Sequence, residues 1–133
     1  MNPEYAERVI ADVADTSTIL PSVIAAIAAG KYTEAGTMMT DDVILEIRGL
    51  PRMNGTWKGR DAVVDAMRRN FGMVRDQRPT VEATLHQGYT TAILFQEQGV
   101  FTDDDSPYSI RAVMWVTYED GYIHRVEEIG APA

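Results

Sequence analysis

The chain has 133 residues, of which 45% are hydrophobic and 24% charged, and its formal net charge is -8 at pH 7. A chain of this length forms one domain and buries roughly two thirds of its unfolded surface, so it needs no disulfide or structural metal. The acidic balance argues against nucleic acid as a partner, and the absence of cysteine excludes thiol nucleophiles and Cys-ligated zinc. No basic, apolar leader and no bilayer-length apolar stretch is present. We therefore expect a cytoplasmic protein without a membrane partner.

Hydrophobic residues recur at three- and four-residue intervals in four segments. This periodicity predicts a leading helix at 1–15 and further helices at 17–29, 32–39 and 61–74. The second helix is followed by Gly30, a residue suited to a left-handed helix end. The fourth places Val63, Met67 and Phe71 on one face and is the most regular of the set.

Alternation of apolar and polar residues predicts strands in the rest of the chain. A strand at 43–48 and a short one near Trp57 precede the last helix, and four long strands follow it at 80–87, 89–101, 108–119 and 122–129. Because the helices and strands are segregated, we expect an α+β fold, with three to four helices packed on a curved, mostly antiparallel sheet. The chain 1–133 is predicted to be a single domain.

The element order and four short motifs resemble those of the NTF2-like superfamily. The motifs are residues 30–32 (GKY), 40–44 (TDDVI), 59–63 (GRDAV) and 118–123 (YEDGYI). More narrowly, the chain is similar to the SnoaL-like and ketosteroid isomerase-like branch, with some similarity to limonene-type epoxide hydrolases. The resemblance covers residues 17–131. It implies a cone-shaped domain with a hydrophobic pocket between the helices and the concave face of the sheet, on a scaffold that hosts many unrelated functions.

The same resemblance implies which side chains line the pocket. These substrate-binding candidates are Val23, Ile47, Trp57, Met67, Phe71, Phe95, Met114, Val116, Tyr118 and Val126. Nearly all are apolar, which indicates a hydrophobic small-molecule ligand. The alternative is that they form only a packed core.

Two family templates imply different chemistries. The ketosteroid isomerase positions for the base, the tyrosine and the acid are occupied here by Ile47, Val23 and Met114, which can neither transfer a proton nor donate a hydrogen bond. In the epoxide hydrolase template, Leu45 and Ile47 replace the residues that hold water, and Phe95 or a neighbouring residue stands in place of the bridging arginine. Only the acidic positions of that template are retained.

Those acidic positions correspond to Glu128 and Glu97, the first two catalytic candidates. A carboxyl group in an apolar pocket has its charged form desolvated, so its pKa moves toward the range of a proton-transfer catalyst. Two questions remain open at these positions. Glu128 could instead pair with a basic side chain or point to solvent beside Glu127, and the strand register could place Gln96 inward instead of Glu97. His124 is the third candidate, two residues before Glu128, whereas His86 is expected on the opposite face from the pocket.

We therefore expect a small enzyme that performs general acid/base chemistry, namely isomerisation, cyclisation, dehydration or epoxide opening, on a terpenoid, polyketide or steroid-like compound. The alternative is a non-catalytic module that binds an apolar ligand or serves for dimerisation. No organic cofactor is expected, and the two histidines lack metal-binding spacing. A convex face with Val113, Trp115 and Thr117 predicts a homodimer, which is also common in the family.

Overall fold

The computed structural model describes residues 18–133, so the leading helix predicted at 1–15 lies outside the described residues. Three helices are present in this part of the chain: α1 (Leu20–Ala28), α2 (Tyr32–Gly36) and α3 (Arg60–Gly72). The strands are β1 (Met39–Arg48), β2 (Gly55–Lys58), β3 (Val74–Gln87), β4 (Thr90–Phe101), β5 (Pro107–Glu119) and β6 (Tyr122–Pro132). None of the described helices is long and apolar enough to cross a membrane.

The six strands form one sheet in the order β2-β1-β6-β5-β4-β3. All neighbours are antiparallel except β1 and β6, which run parallel. The predicted α+β fold, with helices packed on a mostly antiparallel sheet, is confirmed. This arrangement places β6, the last strand of the chain, between β1 and β5 and away from the sheet edges. Side chains on one face of β6 therefore face the helices.

Alternating burial along the strands defines the face that contacts the helices. On β1, Val43, Leu45 and Ile47 are buried while the residues between them are half-buried. From the helical side, Val23 of α1 and Val63 of α3 pack into the same core. Each fully buried side chain of this size stabilises the fold by about 1.5–3 kcal/mol relative to its exposed state.

Gly30 ends α1, as its sequence position predicts. Its φ of 73° lies in the left-handed region that favours glycine. The amide of Gly30 donates to the carbonyl of Ile27, and the amide of Lys31 donates to that of Ala26, at 3.0 and 2.9 Å. This pair of bonds is a Schellman motif, which turns the chain from α1 into α2.

Two β-bulges interrupt the alternation of the strands. On β6, Ile123 pairs with Tyr118 and Arg125 pairs with Thr117, so His124 is an extra residue without a cross-strand partner on β5. On β3, Glu82 is extra in the same way, since its neighbours at 81 and 83 pair with consecutive residues of β4. Beyond each bulge, every side chain lies on the face of the sheet opposite to the one that uninterrupted alternation predicts.

The observed element bounds differ from the predicted ones mainly at β3 and β1. β3 begins at Val74, not at residue 80, and contains Pro79, which is tolerated because β3 is an edge strand. β1 begins at Met39, since the polar residues Asp41 and Asp42 occupy exposed strand positions. The predicted helix at 32–39 correspondingly ends at Gly36.

Candidate functional site

A partly enclosed cavity of about 160 Å³ lies between α1, α3 and the concave face of the sheet. Most of its lining is apolar. The apolar residues are Leu20, Val23, Ile24, Ile27, Met39, Leu45, Ile47, Met53, Val63, Met67, Phe71, Pro79, Val81, Ile93, Phe95, Met114, Val116, Ile123 and Val126. A cavity of about 150 Å³ with such a lining holds a molecule the size of benzene.

Five polar side chains also line the cavity. They come from five different elements: Asn70 from α3, Gln77 from β3, Glu97 from β4, Tyr108 from β5 and Glu128 from β6. A few polar groups converging on an apolar cavity are typical of a small-molecule site. Among the lining residues that the structure describes, two are acidic and none is basic.

Glu128 lies at the centre of the sheet, opposite Met114 of β5. The residue is half-buried, and no hydrogen bond or ion pair within residues 18–133 involves its carboxyl group. Burial, followed by repulsion from the charge of Glu97, raises the pKa of Glu128 from 4.5 to about 8. Its neighbour Glu127 instead bonds to the guanidinium of Arg125. The inward residue of this Glu-Glu pair is therefore Glu128.

Glu97 is buried, with 6% of its surface exposed. Its Oε1 accepts a hydrogen bond of 3.2 Å from Nε2 of Gln77 on the neighbouring strand. Gln96 points the other way, and its Nε2 donates to Oε1 of Glu82 at 2.7 Å. The register therefore places Glu97, and not Gln96, at the cavity.

Tyr108 is the third ionisable residue of the lining. Its ring packs edge-on against Phe101 with the centroids 5.3 Å apart. Burial, and then the charges of Glu97 and Glu128, raises the pKa of its phenol far above the ordinary value. The hydroxyl therefore stays protonated.

Most of the predicted substrate-binding residues line the cavity. They are Val23, Ile47, Met67, Phe71, Phe95, Met114, Val116 and Val126. Trp57 and Tyr118 do not. The ring of Trp57 packs over Gly55 and under the guanidinium of Arg69, 5.1 Å from it. The hydroxyl of Tyr118 forms a hydrogen bond of 2.9 Å with Oγ1 of Thr91.

His124, predicted as a catalytic assistant, lies outside the cavity lining. The bulge at this residue breaks the alternation that would have placed it on the same face as Glu128. Its Nδ1 is 3.0 Å from Oγ1 of Thr40 and 3.2 and 3.5 Å from carboxylate oxygens of Glu119 and Asp42.

The bulge at Glu82 has the opposite effect on His86. Nδ1 of His86 lies 2.9 Å from Oγ1 of Thr91, so His86 is on the concave face. The prediction that His86 lies on the opposite face from the pocket was wrong.

The sequence reasoning missed three polar residues of the site. Tyr108 continues the alternation of Ile110 and Ala112 by one step and was detectable from that pattern. Gln77 lies in the polar run before Pro79, which gave no strand signal. Asn70 follows two arginines on α3, and its Oδ1 accepts hydrogen bonds from Arg69 at 3.3 and 3.4 Å.

No three His, Asp or Glu side chains within residues 18–133 converge in a geometry that would hold a metal ion. The lining also contains no basic side chain to bind a phosphate-bearing cofactor, as far as the structure describes it. What the arrangement offers chemically is proton transfer from Glu128 and hydrogen-bond donation from Tyr108 and the two amides.

The helices and the mostly antiparallel sheet form an α+β domain that encloses an apolar cavity. The chain belongs to the SnoaL-like domain family, whose model matches residues 22–126. This match and the solved structures below confirm the predicted NTF2-like, SnoaL-like branch. No curated protein matches the sequence significantly.

Several solved structures share the fold at low sequence identity. A protein from Rhodopseudomonas palustris, provisionally named an isomerase, is 17% identical with a TM-score of 0.72, covering 84% of this chain and 85% of that one. An NTF2-like protein from Burkholderia xenovorans is 14% identical with a TM-score of 0.70, covering 98% and 92%. A hypothetical protein with a ketosteroid isomerase-like fold from Catenulispora acidiphila, in complex with trimethylamine, is 13% identical with a TM-score of 0.62, covering 96% and 85%. At these identities the likeness establishes the fold alone.

Proposed function

We propose that the protein is a small-molecule enzyme that performs general acid/base chemistry on a hydrophobic compound, with Glu128 as the proton carrier. One observation carries the proposal: Glu128 lies in an apolar cavity, unpaired within the described chain, with its pKa raised to about 8. A carboxyl group whose pKa lies near the working pH transfers protons most effectively in both directions.

At neutral pH Glu128 is mostly protonated and is suited to act as a general acid. It would donate its proton to an oxygen of the substrate, such as an epoxide, a carbonyl or a leaving hydroxyl group. The hydroxyl of Tyr108 would hold the same oxygen, because Tyr108 lines the cavity and its phenol stays protonated. Such acid catalysis contributes roughly 10²–10⁴ to a rate.

The cavity volume limits the substrate class. A space of about 160 Å³ accepts one small ring or a short branched chain. Among terpenoid, polyketide and steroid-like compounds, this favours a small terpenoid or a single-ring ketone. Isomerisation, cyclisation, dehydration and epoxide opening all remain within this chemistry.

The test is a screen in which NMR monitors the conversion of small cyclic epoxides and enolisable cyclic ketones. Uptake of deuterium from the solvent reports enolisation of the ketones. Glu128→Gln should lower the rate about 100-fold. Glu127→Gln, which removes the adjacent outward carboxylate, should leave the rate unchanged. The rate of an acid-catalysed reaction should fall above pH 8, where Glu128 ionises. Full activity in Glu128→Gln would refute the proposed role.

A second candidate is ligand binding without chemistry. It is supported by Val23, Ile47 and Met114, which line the cavity at the positions of the isomerase's catalytic residues. These apolar side chains can bind a ligand but cannot transfer a proton. The Catenulispora acidiphila protein in complex with trimethylamine supports it too, since it pairs this fold with a small ligand. Saturable binding of a compound from the screen, with no turnover of any member, would decide for this candidate.

We further propose that the protein acts in the cytoplasm as a homodimer. The absence of cysteine fits a reducing compartment. The proposed interface is the convex face around Val113, Trp115 and Thr117, where Trp115 and Ile129 leave 47% and 46% of their surfaces exposed.

A further inference from the structure

One side chain outside the cavity connects two segments that contribute to its lining. The loop 49–54 joins β1 to β2, and its buried residue Met53 lines the cavity. The loop 102–106 joins β4 to β5, and Tyr108, two residues beyond it, lines the cavity as well. Arg52, the residue before Met53, contacts both the second loop and the aromatic residues beside it.

The guanidinium of Arg52 makes three hydrogen bonds to the loop 102–106. Its Nη1 donates to Oδ1 of Asp103 at 2.8 Å, and its Nη2 donates to Oδ2 of Asp104 at 2.9 Å and to Oγ of Ser106 at 3.2 Å. The hydroxyl of Ser106 also donates to Asp104, and Ser106 and Arg52 together hold the pKa of that carboxyl group well below its usual range. A single exposed ion pair contributes little, but several bonds from one planar guanidinium fix its position.

The same guanidinium lies over an aromatic pair that ends at the cavity. Its central carbon is 3.9 Å from the ring centroid of Phe101, a distance at which a cation is attracted to the face of the ring. The ring of Phe101 packs edge-on against that of Tyr108, with the centroids 5.3 Å apart. Both residues are only 4% exposed, so a displacement of the Phe101 ring is transmitted to the Tyr108 ring.

The backbone at Arg52 has a conformation that the surrounding contacts must stabilise. Its φ is 67°, in the left-handed region that residues other than glycine rarely adopt. Within the loop, the amide of Leu50 donates to Oδ1 of Asn54 at 2.9 Å. Leu50 and Met53 are buried while Arg52 is partly exposed, so the loop directs its apolar side chains to the core and Arg52 to the loop 102–106.

From these contacts we infer that Arg52 is a positioning residue of the site: from outside the cavity it holds Met53 in the wall and fixes the ring of Tyr108. The inference rests on the proposed function for the role of Tyr108, whose hydroxyl would hold the substrate oxygen. It deepens that function by making the shape of this part of the cavity depend on an ionic contact at the surface.

Salt distinguishes this role from that of a buried packing residue. The side chains of Arg52, Asp103 and Asp104 are 39%, 72% and 51% exposed. Sodium chloride at 1 M shortens the range of charge interactions between exposed groups to about 3 Å. Wild type in this salt should therefore resemble a variant without the guanidinium, whereas contacts of the apolar core are not weakened.

The experiment uses NMR of the ligand-free protein to measure the flip rate of the Tyr108 ring and the chemical shift of the Met53 methyl group. Arg52→Gln should raise the flip rate roughly fivefold and move the methyl signal toward that of an exposed methionine. Arg111→Gln is the matched control, because Arg111 donates two hydrogen bonds to Oε2 of Glu82 away from the cavity. It should change neither signal. Circular dichroism checks that each variant is folded.

Wild type in 1 M sodium chloride should show the same two changes, and this readout does not depend on a variant folding. The signals of Arg52→Gln should not respond to the salt. Unchanged signals in Arg52→Gln and in salt-treated wild type, or equal changes in Arg111→Gln, would overturn the inference.

Deuterium uptake by cyclopentanone separates this inference from the proposed function. Arg52→Gln should lower the uptake rate at saturating ketone, because Tyr108 is held less firmly against the reacting oxygen. If the Tyr108 and Met53 signals respond as expected while Glu128→Gln retains full activity, the proposed function fails and the positioning role stands. If neither signal responds while Glu128→Gln is inactive, the positioning role fails and the proposed function stands.

Discussion

Replacing Glu128 with glutamine is expected to stabilise the protein at alkaline pH. Glutamine has nearly the same shape as glutamate but no charge, so it removes the cost of an ionised carboxyl group in the cavity. Burial and the charge of Glu97 favour the protonated form of Glu128 in the folded protein. In the unfolded chain, water solvates the carboxylate and this preference disappears.

The magnitude follows from the two pKa values. The pKa is 4.5 for the free group and about 8 in the fold, and each pH unit between them corresponds to about 1.4 kcal/mol. Because the folded-state pKa is raised, the destabilisation is absent below pH 4.5, grows as the pH rises to about 8 and is complete above it. The variant should therefore gain about 3 kcal/mol over wild type at pH 7 and about 5 kcal/mol at pH 9.

The assay is urea unfolding followed by circular dichroism at pH 5, 7 and 9 for wild type, Glu128→Gln and Glu127→Gln. Glu127 is bonded to Arg125 on the outward face, so its variant serves as the matched control. We expect the difference in unfolding free energy between Glu128→Gln and wild type to increase with pH. The difference between Glu127→Gln and wild type should not increase with pH. A constant difference across the three pH values would refute the reasoning.

Three further predictions concern packing, the cavity and assembly. Gly49→Ala should lower the unfolding temperature markedly, because the φ of Gly49 is 78° and an added Cβ would lie 1.9 Å from a backbone oxygen. Gly72→Ala should leave the unfolding temperature unchanged, because a Cβ added there has no atom within 4 Å. Equal effects of the two substitutions would contradict the packing described. Val126→Phe should weaken the binding of a small cyclic ketone at least tenfold in NMR titrations, because the larger side chain fills the cavity, and unchanged affinity would place the ligand elsewhere. Trp115→Glu should convert a dimer into a monomer in sedimentation equilibrium; a monomeric wild type would disprove the predicted interface.

Periodicity alone predicts much of the fold, because the buried face repeats every two or every 3.6 residues. The strand residues Ile93, Phe95 and Glu97, and the helix residues Val63 and Met67, all lie where that repeat places them. Glu128 is also on the predicted face. Alternation does not by itself decide between adjacent glutamates, and the choice of Glu128 came from the resemblance to the last strand of the family.

The errors occur where a local irregularity resets the repeat. One extra residue at 124 moves His124 away from the cavity, and one at 82 moves His86 to the concave face. Bulges carry no reliable sequence signal in a single chain, since the extra residue is compatible with either register. Gln77 and Asn70 were missed for a different reason: polar residues at a buried site contradict the hydrophobic pattern that locates buried positions.

The most direct test of the account is the pKa of Glu128, measured by carboxyl-detected NMR titration and assigned with Glu128→Gln. The account predicts a midpoint near 8, together with a response of the Tyr108 ring signals to the same ionisation. A midpoint near 4.5 would mean that the carboxyl group is solvated like an ordinary glutamate, which would contradict both its place in the cavity and its role as the proton carrier.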